Sequence, residues 1–405
     1  MSRSPAVILY SEQGRNLRSD AFDVLRTSNP AALFDDYHKY GINPNRWGTD
    51  VVTGGTVTHV PLQSAANIAA TATSGSRARL RSRTFFRYQS GRGQAIRQSV
   101  YSSDAGVANQ RRRWGYFDES NGFFWELDGT TFQVVRRTNT SGTPTDTAIT
   151  QANFNYDKLD GTGASGFTLD VAKGNIYEID FSWLGVGRVR WFVNGILAHE
   201  ETYSNTLAVP YMQTAVLPIQ YEVVNTGAAA IGSITNVCST VYSDGGNIVP
   251  AYAFGARNTV DIAVGTTETL LMAIRPKATL NSITNRVVIL PNLLVGETDG
   301  ARASIRVVQG ATVTGGTWVS ADTESGVEYN ITGTGFSGGE HIVQGFMPAA
   351  QDTVQLNLQP FYEPLERALR LGPFGSVDDT VVILATNEKT GTTDVRSSLT
   401  WEEIR

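Results

Sequence analysis

Trp114-Gly115-Tyr116-Phe117, Asn121-Gly122, Phe123-Phe124-Trp125-Glu126-Leu127, Asp128-Gly129 and Thr131-Phe132-Gln133-Val134-Val135 follow one another in a single stretch. Aromatic and β-branched runs alternate here with dipeptides that tolerate positive φ, and such dipeptides close two-residue hairpins. The stretch therefore reads as an antiparallel meander. A second meander runs from Tyr177 to Trp183, through a glycine loop to Arg188–Val193, then through Asn194-Gly195 to Ile196–Tyr203. Together they predict a large antiparallel sheet. No catalytic set accompanies them, so the expected class is a scaffold or binding protein, not an enzyme.

The pattern also predicts register. A two-residue Asp128-Gly129 turn sets Trp125 opposite Phe132 and Phe123 opposite Val134. The Asn121-Gly122 turn brings Tyr116 onto the same face. This cluster is expected in the core, because large aromatics dominate core energetics; a sugar-stacking platform is the sharper alternative. In the second meander Tyr177, Ile179, Phe181 and Trp183 share one face, and Glu178 and Asp180 the other. Val189, Trp191 and Val193 alternate with Arg188 and Arg190 on the next strand. A one-residue slip would bury the charges. The faces thus require a five-residue loop, Trp183–Gly187, and place Asp180 opposite Arg190 as an exposed pair, worth about 0.2–1 kcal/mol.

Composition narrows the class further. The 405 residues suffice for two or three domains, and 41% apolar content permits a sizeable core. Lys and Arg number 33 against 38 Asp and Glu, a net charge of −5. That argues against a general nucleic-acid binder, which carries a basic excess. Cys238 is the sole cysteine, which rules out an internal disulfide; it is expected to be a small buried residue. The apolar run Ala6–Tyr10 is too short for a secretory signal or a membrane span. Synthesis in a cytoplasm without membrane insertion is expected.

Short helices are predicted at Asp20–Arg26 and at Pro30–Tyr37, where proline suits a first helical turn. From Val51 the texture is β, with loops over residues 139–172. Composition shifts near Ser243-Asp244-Gly245-Gly246. The expected organisation is a lead-in over 1–50, a jelly roll over 51–245 and a second, smaller β-sandwich over 246–405. Strand-like runs in the last region are Thr259–Val264, Thr269–Ile274, Arg286–Leu290, Ala303–Val308, Thr317–Ser320, Glu328–Thr332, Val381–Thr386 and Ser398–Ile404. Gln359–Leu371 reads as a helical insertion.

Candidate chemistry is sparse. Glu178-Ile179-Asp180-Phe181 resembles the Glu-x-Asp-x-x-Glu strand of family 16 glycoside hydrolases, but Trp183 stands where the resemblance needs the acid. A solvent-facing charged strand is the expected reading, and no catalytic residue is assigned. Asp118/Glu119, Asp157/Asp160, Glu200/Glu201 and Asp378/Asp379 are expected to face water; the Asp157–Asp160 loop is a weak candidate for calcium. His38, His59, His199 and His341 lack metal-ligand spacing and are expected at the surface or hydrogen-bonded. No metal or cofactor is implied. Arg77, Arg79, Arg81 and Arg83 recur at period two, and Arg111-Arg112-Arg113 follow. They read as a solvated strand face, a protein interface or a polyanion contact. Arg is the preferred cation at interfaces, so Arg79, Arg81, Arg111, Arg112 and Arg113 are the interface candidates, with Trp125, Phe132, Asp180, Arg190 and Trp191 as core and register markers.

Residues about 105–245 resemble a family of tailed-bacteriophage virion structural proteins. The likeness rests on Ala105–Gln110 with Arg112–Phe117, Phe124–Gly129, Val134–Thr138, Asp157–Gly163, Asp180–Arg190 and Tyr221-Glu222 before Asn225-Thr226-Gly227. Ser398–Ile404 is similar to the ends of such proteins. Arg188–Tyr203, with Phe192-Val193-Asn194-Gly195, looks like the strand pair of laminin-G and concanavalin-like jelly rolls. The resemblance implies an all-β virion component made in the host cytoplasm, homo-oligomeric, docking on other virion proteins through its Arg-rich and aromatic surfaces. The alternatives left open are a host-receptor adhesin that binds glycan in a shallow groove with exposed Trp or Tyr and amide side chains and, as a third reading, a glycan-cleaving hydrolase with two carboxylates within reach in a cleft.

Overall fold

The computed structural model describes Ala21 and residues 30–245, 251–349, 353–362 and 365–405. They fall into two compact units, Met1–Ile248 and Val249–Arg405. Most of the Asp20–Arg26 segment lies outside the described residues.

The first unit is a concanavalin-like jelly roll. Its strands are β1 (Ala31–Tyr37), β2 (Trp47–Val52), β3 (Thr56–Val60), β4 (Ala65–Ala70), β5 (Arg77–Ser82), β6 (Gln94–Ser102), β7 (Gln110–Phe117), β8 (Gly122–Asp128), β9 (Thr131–Thr138), β10 (Thr145–Thr150), β11 (Asn175–Phe181), β12 (Val189–Val193), β13 (Ile196–Glu201), β14 (Ile219–Asn225) and β15 (Gly232–Ser243). One sheet has eight strands, ordered β13-β12-β11-β6-β15-β4-β3 with β1 beside β15; the other has seven, ordered β10-β9-β8-β7-β14-β5-β2. Consecutive strands β14 and β15 thus enter opposite sheets, each between strands laid down much earlier. Two-residue alternation sends Trp114, Tyr116, Phe123, Trp125, Phe132, Tyr177, Phe181, Trp191 and Tyr221 into one core between the sheets. The Tyr116 hydroxyl, buried there, donates within reach of the Phe86 and Ala215 carbonyls at 2.9 Å and accepts from Gln94 Nε2 at 3.1 Å, so burial leaves it satisfied.

The second unit is the smaller sandwich. A five-stranded sheet holds Ala251–Arg257, Ile262–Val264, Val288–Thr298, Thr353–Asn357 and Thr393–Ile404. A six-stranded sheet holds Thr269–Pro276, Ala303–Gln309, Val319–Ser320, Val327–Asn330, Glu340–Met347 and Val381–Asn387. Trp401 and Leu399 pack against Ile305 and Ile383 in its core. The fully buried Glu403 carboxylate accepts from Ser325 Oγ at 2.5 Å, Gly326 N at 2.9 Å and Trp401 Nε1 at 3.1 Å, which satisfies it without water. Gln359–Tyr362 is one helical turn and Leu365–Arg367 a 3₁₀ turn, a shorter insertion than predicted.

Several local expectations are corrected. Ala31–Tyr37 is a strand paired with β15, not a helix: the edge of β15 offers ladder hydrogen bonds over Cys238–Ser243. The β8–β9 turn centres on Gly129-Thr130, with Asp128 opposite Thr131 and Gly129 at φ 59°. Trp125 therefore faces Val134, and Phe132 faces Leu127. The slip is two residues, so every side chain keeps its face, and Trp125 and Phe132 still stack as diagonal neighbours at 5.3 Å. Asn194-Gly195 closes its hairpin as read, both residues at positive φ. Asp180 does face Arg190, and Ser182 N bonds Arg188 O around the five-residue loop. The pair is buried, however, not exposed: Asp180 keeps 1% of its surface and Arg190 7%. Cys238 is exposed, because it lies in the irregular stretch of β15 between Asn236 and Ser239.

His199 also departs from expectation. It is buried between the Trp191 and Phe154 rings, and neither ring nitrogen has a hydrogen-bond partner. Burial lowers its pKa from 6.5 to about 4. An imidazole that folding keeps neutral costs stability once the unfolded chain takes up a proton. Stability from this group is complete above pH 6.5, falls as the pH drops toward 4, and levels off below; the total is roughly 3 kcal/mol. Urea unfolding at pH 7 and pH 4 should show a larger loss for the wild type than for His199→Phe, and equal losses would refute the assignment.

Candidate binding groove

The outward face of the seven-stranded sheet carries a lateral row of paired charges. Register places Asp50 beside Arg79, Arg79 beside Glu222, Glu222 beside Arg113, Arg113 beside Glu126, and Glu126 beside Gln133. Each is the outward partner of an inward apolar residue on its own strand, so the alternation that builds the core also builds this row. Arg79 NH2 lies 2.5 Å from Asp50 Oδ2. Arg113 bridges Glu126 at 2.6 Å and Glu222 at 3.0 Å, and Gln133 Nε2 donates to Glu126 Oε2 at 2.6 Å. Arg113, Glu126 and Glu222 are all buried. Burial works against the charge on Arg113, but the two carboxylates outweigh it and raise its pKa.

The next row runs Arg81, Gln220, Gly115, Phe124 and Val135. Gly115 is required here: a Cβ would come within 2.5 Å of Phe124 Cα. Phe117, Phe124 and Val135 form an apolar floor on the outside of the sheet. The guanidiniums of Arg113 and Arg137 cap Phe124 at 5.6 and 5.2 Å from its centroid. Arg137 is held by Asp146 at 2.7 Å.

A groove of about 390 Å³ runs over these rows, lined by Arg77, Arg79, Arg113, Asp118, Glu119, Arg137, Pro144, Asp146, Gln220 and Glu222. Four guanidiniums thus meet four carboxylates. Glu119 stands at the tip of the β7–β8 hairpin, whose loop is fixed by Asp118 Oδ1 accepting from Ser120 N at 2.7 Å and Asn121 N at 2.9 Å. Its Oε1 lies 2.5 Å from Arg79 NH1 and 2.6 Å from Arg81 NH2. Burial disfavours the Glu119 charge, but Arg81 and Arg79 prevail and hold the carboxyl at about 2.

The predicted residues fall in different places. Arg79, Arg81 and Arg113 do share this face, but as members of the paired rows; Arg81 keeps 1% of its surface. Arg83 lies beyond the end of β5. Arg111 is partly exposed and paired with Asp128 at 3.2 Å. Arg112 points inward and is fully buried, so it offers no surface for docking: its Nε donates to Gln110 at 2.7 Å and NH1 lies 3.0 Å from Asp104 Oδ1. Gly232 makes room for it, since a Cβ there would meet Arg112 NH2 at 2.1 Å. The sequence reading missed Asp50, Glu126, Gln220, Glu222, Arg137 and Asp146. The signal for them was the outward parity of Glu126 and Gln220 beside buried aromatics; Glu126 meets the adjacent strands β7 and β9, but Gln220 and Glu222 meet partners more than a hundred residues away.

The hydrolase-like strand is β11, in the other sheet. Glu178 is buried and bound to Arg97 at 2.7 Å, with the Tyr242 hydroxyl at 3.3 Å. Asp180 binds Arg190 at 2.5 Å. The strand is therefore an enclosed ion-pair strand, not the solvent-facing one predicted. Trp183, at the third position, donates its Nε1 to the Met212 carbonyl at 3.3 Å. Asp157 caps its own loop, accepting from Leu159 N at 2.8 Å and Ser165 N at 2.9 Å, while Asp160 accepts from Thr162 N at 2.9 Å. Among the described residues no group of three or more His, Cys, Asp or Glu side chains is placed to hold a metal ion, and no helix is long and apolar enough to cross a membrane.

No protein-family model matches the chain, and no curated protein does. Solved structures do resemble it over about half its length. They include an endo-1,3-β-glucanase from Streptomyces sioyaensis (13% identity, 54% of this chain and 98% of that one, TM-score 0.40). An endo-β-1,4-glucuronan lyase from the fungus Trichoderma reesei matches at 11% identity over 52% and 95%, TM-score 0.37. The carbohydrate recognition domain of Emp47p matches at 12% over 54% and 99%, TM-score 0.36. The expectation that the chain is not an enzyme is corrected by these similarities, which include glycan-cleaving enzymes beside recognition domains. The expectation rested on missing motifs, yet paired carboxylates on an antiparallel sheet need no nucleophile elbow or metal spacing. Nothing among the comparisons ties the chain to virion proteins.

The row makes a prediction about stability. Arg113→Met strands two buried carboxylates and should cost about 3–5 kcal/mol in urea unfolding. Adding Glu126→Gln and Glu222→Gln to that variant should recover most of the loss; no recovery would show that Arg113 acts through packing instead.

Proposed function

We propose that the jelly roll binds a glycan in the groove of its seven-stranded sheet, which makes the chain a glycan-binding attachment protein. The observation that carries this reading is the groove itself, where guanidiniums and carboxylates balance in number and are fixed by pairing across strands. A sugar hydroxyl both donates and accepts hydrogen bonds, so it matches a surface on which donors and acceptors alternate. Neighbouring strands place those groups about 4.8 Å apart. Because the side chains are locked before a ligand arrives, binding does not have to order them. The amides expected of an adhesin are present as Gln220 and Gln133 on the same face. The exposed Trp or Tyr is not among the groove residues; Phe124 lies beneath Arg113 and Arg137 instead.

The likeness of residues about 105–245 to virion proteins supports a bacteriophage particle as the place where such a protein works, in a homo-oligomer docked on other virion components. Detecting the chain in purified particles tests that location separately.

Glycan-array screening followed by titration calorimetry tests the groove. Arg137→Ala removes one wall and the Asp146 pair, and should weaken binding about tenfold, equivalent to ~1.4 kcal/mol. Uniform failure to bind across neutral and acidic glycans would overturn the proposal. Measuring new reducing or unsaturated ends in the same samples separates recognition from cleavage.

A further inference from the structure

The hairpin tip that carries Glu119 crosses the sheet in an uncommon way. It joins β7 to β8, yet its carboxylate bonds arginines on β5, and β14 lies between β7 and β5. The contact is unequal. The side chain of Glu119 keeps 54% of its surface, whereas Arg79 keeps 12% and Arg81 1%. Both arginines have other anchors: Arg79 is held by Asp50, and Arg81 Nε donates to Gln220 Oε1. Their guanidiniums therefore stay in place if the Glu119 side chain swings away, and the exposed partner is the one that can leave.

We propose that Glu119 occupies the position of a ligand carboxylate, and that Arg79 and Arg81 form a built-in site for the carboxylate of an acidic sugar, a uronate-type residue of a glycan lying in the groove. Charge supports this exchange. With Glu119 seated, the groove's four guanidiniums face four carboxylates. Once Glu119 is displaced Arg79 and Arg81 lose the carboxylate they share, and one sugar carboxylate restores that contact. The exchange swaps one charge-assisted carboxylate–guanidinium contact for another of the same kind. It makes no covalent change, and the tip acts as an internal competitor that a neutral glycan has no means to displace.

This inference rests on the glycan-binding reading, and the experiment separates the two. Hexasaccharides of polygalacturonate and of alginate are titrated against cellohexaose and laminarihexaose, using the full chain and Glu119→Gln. The expected result is at least tenfold tighter binding of the acidic hexasaccharides by the wild type. Glu119→Gln should raise the ratio of acidic to neutral affinity about fivefold further. The replacement sits at an exposed loop tip, and a thermal melt of the variant confirms its fold. Equal affinity for acidic and neutral glycans would overturn the inference and leave the groove standing. An acidic preference that Glu119→Gln does not change would place the carboxylate elsewhere and also overturn it. Binding of none of the four would overturn both readings.

Discussion

Glu222 sits between Arg79 and Arg113, and on that placement the outer face of the seven-stranded sheet depends. The residue lies on β14, the strand that joins β5 and β2 to β7–β10. Its neighbours Tyr221 and Val223 enter the core, so a single-residue slip would exchange aromatic rings for carboxylates on both faces. Core packing thus fixes the register, and the register fixes which charges meet. Removing ions from water is expensive unless each is paired and hydrogen-bonded. Here Arg113 is shared by two carboxylates, and the second oxygen of Glu126 is taken by Gln133. The groove is therefore held in shape by the same strand pairing that closes the sandwich.

The two sheets use charge differently. On the eight-stranded sheet Glu178 and Asp180 are each enclosed against an arginine on an adjacent strand. On the seven-stranded sheet the pairs extend into a lateral row, and the exposed Glu119 side chain closes over one end of it. The first arrangement supports the fold locally; the second leaves a surface on which a polar ligand finds its partners already oriented.

The parts of this structure that are local in sequence were legible. Alternation put Trp125, Phe132 and Trp191 in the core, Asn194-Gly195 announced its hairpin, and the charge pattern set Asp180 against Arg190. In the two main sheets of the second unit most strands were visible as β-branched runs, whereas Ala251–Arg257, Glu340–Met347 and Thr353–Asn357 were not, since their glycines and polar residues blur the pattern. What alternation does not convey is the partner strand. Ala31–Tyr37 becomes a strand only because the edge of β15 is beside it. Arg112 reads like its neighbours Arg111 and Arg113, and only the pleat and Gly232 send it inward. The candidate groove was half visible, as a period-two arginine row. Its acidic half lies on β2, β8, β10 and β14 and on a hairpin tip, so it emerges only when the strands are in order. Two-residue parity also survives a two-residue slip, which is why the Asp128-Gly129 turn was misplaced without cost to the predicted faces.

The order in which strands join has a consequence for synthesis. β14 and β15 fill seams in the middle of both sheets, and they are the last strands of the jelly roll to leave the ribosome. At roughly 5–20 residues per second, the growing polypeptide spends many seconds with β5, β7, β4 and β6 presenting unfilled edges. Open edges of this kind pair readily with other chains. A fragment cut short before residue 219 would carry nearly all the aromatic core residues and still lack the means to enclose them, so it should accumulate as aggregate or be held by chaperones.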